Sequence, residues 1–278
     1  MKQLIKVTQF TKEEEVPSLH SPFYYAILFE GEATFTLDFH TYTCSGKNIL
    51  FLSPYQILKW NTLHIEEMYY LQFHGDFYCI EYHKEEVACN GILFNAPFEI
   101  PFVVLQDKVY DELVQYCSKI SLLDQAETSY DISLVKTYLQ LILALSSKEK
   151  QISNASQKVK MTAIGEVANF KELLEEYIVH YKSVSFYADK YNLSTDVFSK
   201  KVKKYFGKTP TQLIQERLVL EAKKQLHLTH KSIKEVASEL GFSDEFYFSR
   251  YFKKEVGVSP KVFREQVGIS IVAKKSME

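Results

Sequence analysis

The stretch Ile233–Pro260, IKEVASELGFSDEFYFSRYFKKEVGVSP, decides the fold, because the chain has already written it once. The earlier copy runs from Val184 to Pro210 as VSFYADKYNLSTDVFSKKVKKYFGKTP. Ala188 pairs with Ala237, Asn192 with Gly241, Leu193 with Phe242 and Ser194 with Ser243, each 49 positions apart. One residue is then gained. Phe198 pairs with Phe248, Ser199 with Ser249, Lys200 with Arg250, Gly207 with Gly257 and Pro210 with Pro260, each 50 apart.

Each copy has the grammar of a helix-turn-helix. Ser183 and Ser232 suit the N-cap of a short first helix. Ala188 and Ala237 are small enough for a second helix to cross closely. Asn192 and Gly241 stand where a tight turn needs a left-handed residue, which Gly tolerates best and Asn next. Ser194 and Ser243 are expected to cap the second helices. Gly207 and Gly257 should end them, with Pro210 and Pro260 blocking continuation.

In the second helices Phe198, Val202 and Phe206, and likewise Phe248, Phe252 and Val256, share the inward face. The opposite faces carry Thr195, Asp196, Ser199, Lys200 and Lys203, and Glu245, Phe246, Ser249, Arg250 and Lys253. A helix fits the major groove of B-DNA, where exposed side chains meet base edges. Arg250 or Lys200 can donate to guanine O6 and N7, and Phe246 can touch a thymine methyl. Asp196 and Glu245 either accept from cytosine N4 or only cap their helices. Lys201, Lys203, Lys204, Lys253 and Lys254 suit phosphates, as do the helix starts at Ser183 and Ser232. Between the copies, Ile214, Leu218, Ala222 and Leu226 recur every four residues, as on a packed helix. Such a helix is a rigid spacer that can hold two reading helices about one DNA turn (~34 Å) apart. Ahead of the first copy, Phe170, Leu173, Leu174, Tyr177, Ile178 and Tyr181 predict an amphipathic helix that covers it.

The segment from about Phe170 to Arg264 resembles the DNA-binding domain of the AraC/XylS family of bacterial transcription regulators. GFSDEFYFSRYFKKEVGVSPKVFRE, Gly241–Glu265, is similar to that family's second helix-turn-helix signature almost throughout. The resemblance implies seven helices, with two motifs joined by a long helix and bound to adjacent major-groove segments. It implies base reading by Asp196, Ser199 and Lys200 in the first motif and by Glu245, Phe246, Ser249 and Arg250 in the second. It further implies action on RNA polymerase. Asn192 departs from the glycine often found at the family's first turn, and Asp196 is an unusual groove-facing residue there.

The chain before the repeat is different. From Phe23 to about Leu105 it reads as short strands punctuated by turns at Glu30-Gly31-Glu32 and Ser45-Gly46-Lys47-Asn48, a pattern of sandwiches and barrels. This order resembles a cupin-type barrel. From Asp107 to about Lys150 the period becomes helical, with Val109, Leu113, Tyr116, Cys117 and Ile120 on one face. A second helix near Ile132–Ser146 puts Val135, Leu139 and Ile142 on one side. Leu134, Tyr138, Leu141 and Leu145 lie on the next. That stripe is wide enough for both the barrel and a second subunit. The polar stretch after it reads as a linker. The expected organisation is α+β in two domains. These are a cupin-like sensor with a helical dimerisation hairpin over 1–146 (hairpin about 107–146), a linker over 147–165, and a double helix-turn-helix domain over 166–278.

Composition agrees. The 278 residues are 46% apolar and 24% charged, with nine Gly and seven Pro, as in ordinary soluble domains. The net charge of −2 divides unevenly. Residues 1–164 hold 13 Lys, no Arg and 20 acids (net −7), whereas residues 165–278 hold 17 Lys, 3 Arg and 15 acids (net +5). Such a split suggests two domains with different partners, the basic one facing a polyanion, unless it is a chance imbalance of solvated charges; the resemblance implies double-stranded DNA as that partner. No apolar run approaches a membrane span and the N-terminus lacks a signal peptide, so a cytoplasmic protein is expected, without membrane contact. Cys44, Cys79, Cys89 and Cys117 have no metal spacing and read as reduced, half-buried thiols.

An enzyme is disfavoured. Catalytic cupins use a tight His-x-His set, and His20, His40, His64, His74 and His83 lack that spacing. No P-loop or nucleophile motif occurs, so no catalytic residue, metal or cofactor is expected. His20, Tyr24, Trp60 and His74 are candidates to line a barrel mouth for a small-molecule effector. The alternative is an effector-independent regulator whose first domain only dimerises.

Overall fold

A computed structural model describes residues 4–11, 15–78, 92–94, 97–123, 128–160 and 166–269. Cys79, Cys89 and His83 lie outside them, as do residues 161–165 of the expected linker. Contacts divide the chain into two units, cut between Ser156 and Gln157, and Pro97–Glu99 clusters with the second.

The first unit is a five-stranded sheet with two helices. β1 (Ile5–Thr11), β2 (Tyr24–Leu37), β3 (His40–Leu52), β4 (Leu58–Phe73) and β5 (Phe102–Val104) lie in the order β1-β4-β2-β3-β5. Every pairing is antiparallel. Side chains on a strand alternate between faces, and β2 shows it plainly. Tyr24, Ala26 and Leu28 enter one core cluster, while Tyr25, Ile27 and Phe29 enter the other. The first cluster continues into α1 (Asp107–Leu122) and α2 (Ser129–Lys160) through Leu113, Cys117, Ile120, Val135, Leu139 and Ile142.

Two local expectations are corrected. Glu30-Gly31-Glu32 is no turn, because β2 runs through it with a bulge between Phe29 and Gly31. Gly31 has φ +142°, and a Cβ there would collide with the His64 carbonyl, so this glycine marks a close backbone approach. Ser45–Asn48 is likewise inside β3, and the hairpin turns at Asp38-Phe39, where Asp38 has φ +53°. The stretch expected as a linker is helical as far as Lys160, and the cut between the two units falls inside it. Its Lys, Gln, Ala and Ser residues oppose a helix little, so an established helix runs on. Cys44 and Cys117 are fully buried thiols, and burial pushes Cys44 up to about 11 and Cys117 up to about 12.

The second unit is helical: α3 (Phe170–Tyr177), α4 (Val184–Lys190), α5 (Thr195–Phe206), α6 (Pro210–Leu228), α7 (Ile233–Glu239), α8 (Glu245–Val256) and α9 (Pro260–Val267). Its core repeats with the sequence. Phe198 and Val202 are buried from α5, and Phe248, Phe252 and Val256 from α8. Leu213, Ile214, Leu218, Ala222 and Leu226 of α6 are buried as well. Pro210 and Pro260 lie past the ends of α5 and α8 and also start the next helices. Each is the first residue of a helix capped by Thr209 or Ser259, where its fixed φ fits and its missing N–H costs nothing.

Candidate nucleic-acid interface

The two motifs are α4–α5 and α7–α8. Ala188 and Ala237 are buried at the crossings. Asn192 has φ +53° and Gly241 φ +66°, so both turns use the left-handed conformation. Gly207 and Gly257 end α5 and α8 at φ +75° and +85°, donating to the carbonyls of Lys203 and Lys253.

The caps differ between copies. Ser194 Oγ accepts the Val197 N–H in the first motif. In the second the cap is Asp244 and not Ser243: Asp244 Oδ1 accepts the Tyr247 N–H at 2.7 Å, while Ser243 donates sideways to Asp244. The residue gained between the copies is therefore absorbed before the cap, and Ser194 aligns with Asp244 at an offset of 50. The backbone N–H of Tyr247 holds the Asp244 carboxyl below its usual range, helped by Ser243, the Phe246 N–H and the charge of Arg250.

The corrected register identifies two residues the sequence reading missed. Val197 and Tyr247 are the third residues of their helices and are 41% and 51% exposed, beside Phe246 at 72%. The signal was present in the spacing, since a cap placed at Asp244 makes Tyr247 the partner of Val197. Burying what is still exposed of Val197 and Tyr247 against a partner removes roughly 1 kcal/mol of apolar cost each, a fraction of the ~1.5–3 kcal/mol for burial from full exposure. Asp196, Lys200 and Arg250 are exposed, and Glu245, Ser199 and Ser249 are half-buried at the edge of the same faces. The exposed cations include Lys203, Lys204, Lys253 and Lys254. Lys201 is half-buried and ion-paired with Glu166.

The helix starts differ too. Ser183 accepts the Phe186 N–H, with no acid in the first turn of α4. Ser232 and Glu235 form a reciprocal capping box, in which the Ser232 N–H and Oγ both donate to Glu235. These bonds hold the Glu235 carboxyl below its usual range. A carboxylate already sits at the start of α7, so the positive helix end there is partly neutralised.

In the first unit the four residues proposed for an effector do not converge. Tyr24 stacks on Phe73 at 5.3 Å in the core under α1 and α2. Trp60 packs on the opposite face against Phe29 and Phe35 and donates to the Tyr70 hydroxyl at 2.6 Å. His20 lies edge-on to Tyr55, and His74 edge-on to Phe23. An open groove of about 670 Å³ is lined by Trp60 together with Glu30, Asn61, Thr62, His64 and Glu66, among others, and not by His20, Tyr24 or His74. The described residues hold no cluster of three or more His, Cys, Asp or Glu able to bind a metal, and no described helix is long and apolar enough to cross a membrane.

Residues 187–266 match a family model described as a helix-turn-helix domain. Over 276 residues the chain is 20% identical to the HTH-type transcriptional activator RhaS of Escherichia coli O81 (strain ED1a), spanning 91% of this chain and 89% of that protein. Among solved structures, it is similar to the C-terminal domain of the two-component response regulator yesN from Fusobacterium nucleatum subsp. nucleatum ATCC 25586. That match has 30% identity and a TM-score of 0.32, over 35% of this chain and 99% of that one. Apo ToxT from Vibrio cholerae strain SCE256 matches at 13% identity and a TM-score of 0.42, over 95% of this chain and 98% of that one. Two capped helices with exposed faces, in a domain of this type, fit a DNA-binding transcription regulator. The chain carries a helix-turn-helix domain over residues 187–266, in keeping with the resemblance of its C-terminal part to the AraC/XylS regulators.

Proposed function

We propose that this regulator binds specific double-stranded DNA through α5 and α8 and alters recruitment of RNA polymerase at nearby promoters. The observation that carries the reading is the pair of exposed faces on two helices built to one plan. Asp196, Ser199 and Lys200 read bases in one groove segment, and Glu245, Phe246, Ser249 and Arg250 in the next. Val197 and Tyr247 add apolar contact. Lys203, Lys204, Lys253 and Lys254 hold phosphates, with Ser183 at the start of α4, whereas Ser232 is committed to Glu235. Lys201 joins them by exchanging Glu166 for a phosphate. Genome-wide mapping of bound fragments followed by footprinting tests this. Two protected segments about one helical turn apart are expected, and uniform protection of any sequence would overturn base reading.

The first unit is proposed to sense a small molecule and to dimerise, in a cytoplasmic protein without enzymatic activity. The groove beside Trp60, with carboxylates, an amide and an imidazole around it, supports a small polar ligand. Leu134 and Leu141 are exposed and Tyr138 and Leu145 half-buried along α2, which supports a partner helix there. Thermal melting of the full chain against sugars and small organic acids tests the first point. No stabilisation across such a library favours regulation without an effector. Light scattering tests the second, and a monomer at micromolar concentration with full DNA affinity removes it.

A further inference from the structure

α6 joins the two motifs end to end, and its 19 residues span about 28 Å at ~1.5 Å each. A helix fixes distance well. Thr229–Lys231 separate it from the cap of α7 at Ser232, so rotation depends on side contacts: α7, α8 and α9 pack on α6, and Arg264 Nε donates to the Leu226 carbonyl. Rotation matters on DNA, where a shift of one base pair turns the target by about 35°.

A further, direct contact joins the chain ahead of the first motif to the turn of the second. Lys182, just ahead of the α4 cap, sends its Nζ to the Gly241 carbonyl in the turn of the second motif at 3.2 Å. The same Nζ donates to the Val179 carbonyl after α3, also at 3.2 Å, and sits 5.4 Å from the Phe242 ring centroid. The backbones are as close as the side chain suggests. A Cβ on Gly241 would stand 2.9 Å from the Val179 carbonyl oxygen and 2.9 Å from Lys182 Nζ. Only a glycine lets the second turn approach this nearly, and Gly241 also needs its left-handed φ. In the first motif the same place is held by Asn192. Burial lowers the Lys182 ammonium from its ordinary range, as expected of a cation drawn out of water by carbonyls.

We propose that Lys182, seated on Gly241, is a positioning residue that locks the rotation of the second motif against the first and so sets the base-pair spacing the protein accepts between its two half-sites. This rests on the reading that α5 and α8 both enter the major groove. Lys182 itself touches no base. Without it the boxes read by each helix stay the same and only their separation becomes loose.

The test selects bound sequences from a randomised duplex library with the full-length protein, wild type against Lys182→Met and Lys182→Arg. Wild type is expected to return two boxes at one spacing. Lys182→Met should return the same two boxes with spacings spread by at least about one base pair to either side. Lys182→Arg, which keeps the donors, should restore the single spacing. An unchanged single spacing in Lys182→Met overturns the lock, even if its melting temperature falls, since a purely structural role lowers affinity without changing spacing. If wild type enriches no sequence at all, the groove-reading assignment fails and the lock fails with it.

Discussion

The two motifs share a core and a turn but differ on the face they offer. α5 carries four lysines and one aspartate, a net +3, whereas α8 carries three cations and two glutamates, a net +1. Where α5 has Asp196 and Val197, α8 has Phe246 and Tyr247, the larger apolar pair. Charge on phosphates supplies affinity without sequence, whereas Arg and apolar side chains at base edges discriminate. On the proposed reading, the first motif adds more to affinity and the second more to discrimination, though both touch bases. The two copies agree in what folding needs and differ on the solvent face.

The largest expected effects lie where the copies agree. Phe198→Ala and Phe248→Ala each empty a fully buried site and should each cost about 3–5 kcal/mol in thermal or denaturant unfolding. A much smaller loss at one of them would mean the two cores are not equivalent. Next comes the face. Arg250→Ala should weaken specific binding by ~1–3 kcal/mol and relax preference at one base pair. Lys254→Ala should weaken binding on all sequences and reduce the salt slope by about one. Titrations on specific and scrambled duplexes at several salt concentrations separate the two. Equal loss on both duplexes from Arg250→Ala would sink base reading by α8.

The turns give a smaller contrast. Gly241→Ala should destabilise by about 1–2 kcal/mol through its left-handed φ alone, and further through the contact with Val179 and Lys182. Asn192→Gly should shift stability by less than about 1 kcal/mol. The smallest effect is at the caps. Asp244 is lowered in the folded chain, so its contribution is complete above the ordinary Asp value of about 3.9. It is lost as pH falls from there through the folded value. Ser194 does not titrate. In an NMR titration the Tyr247 amide should follow acid with a midpoint below ~3.9, while the Val197 amide should not. A shared midpoint would mean global unfolding and not the cap.

Much of the second unit was legible from residues alone. Buried Phe and Val at helical spacing, Ala at the crossing, and Asn or Gly at the turn each leave a local mark. The cap of α8 was misread because Ser243 and Asp244 are both good caps, and only hydrogen bonding chooses between them. The first unit was less legible. Glycine at Gly31 signals either a turn or a close approach, and the neighbour that decides, His64, is distant in sequence. Tyr24 and Trp60 look alike as aromatic strand residues, yet pleating and register send them to opposite faces.

The amino-acid order by itself determined the duplicated helix-turn-helix, its inward and outward faces, and the charge that separates the two parts of the chain. These follow from periodicity and from the conformational limits of single residues. Tertiary structure alone decided the groove beside Trp60, the helical course of the stretch up to Lys160, and the seat of Lys182 on Gly241. Each depends on atoms brought together across long sequence separations or on cooperative helix extension, which no local pattern records.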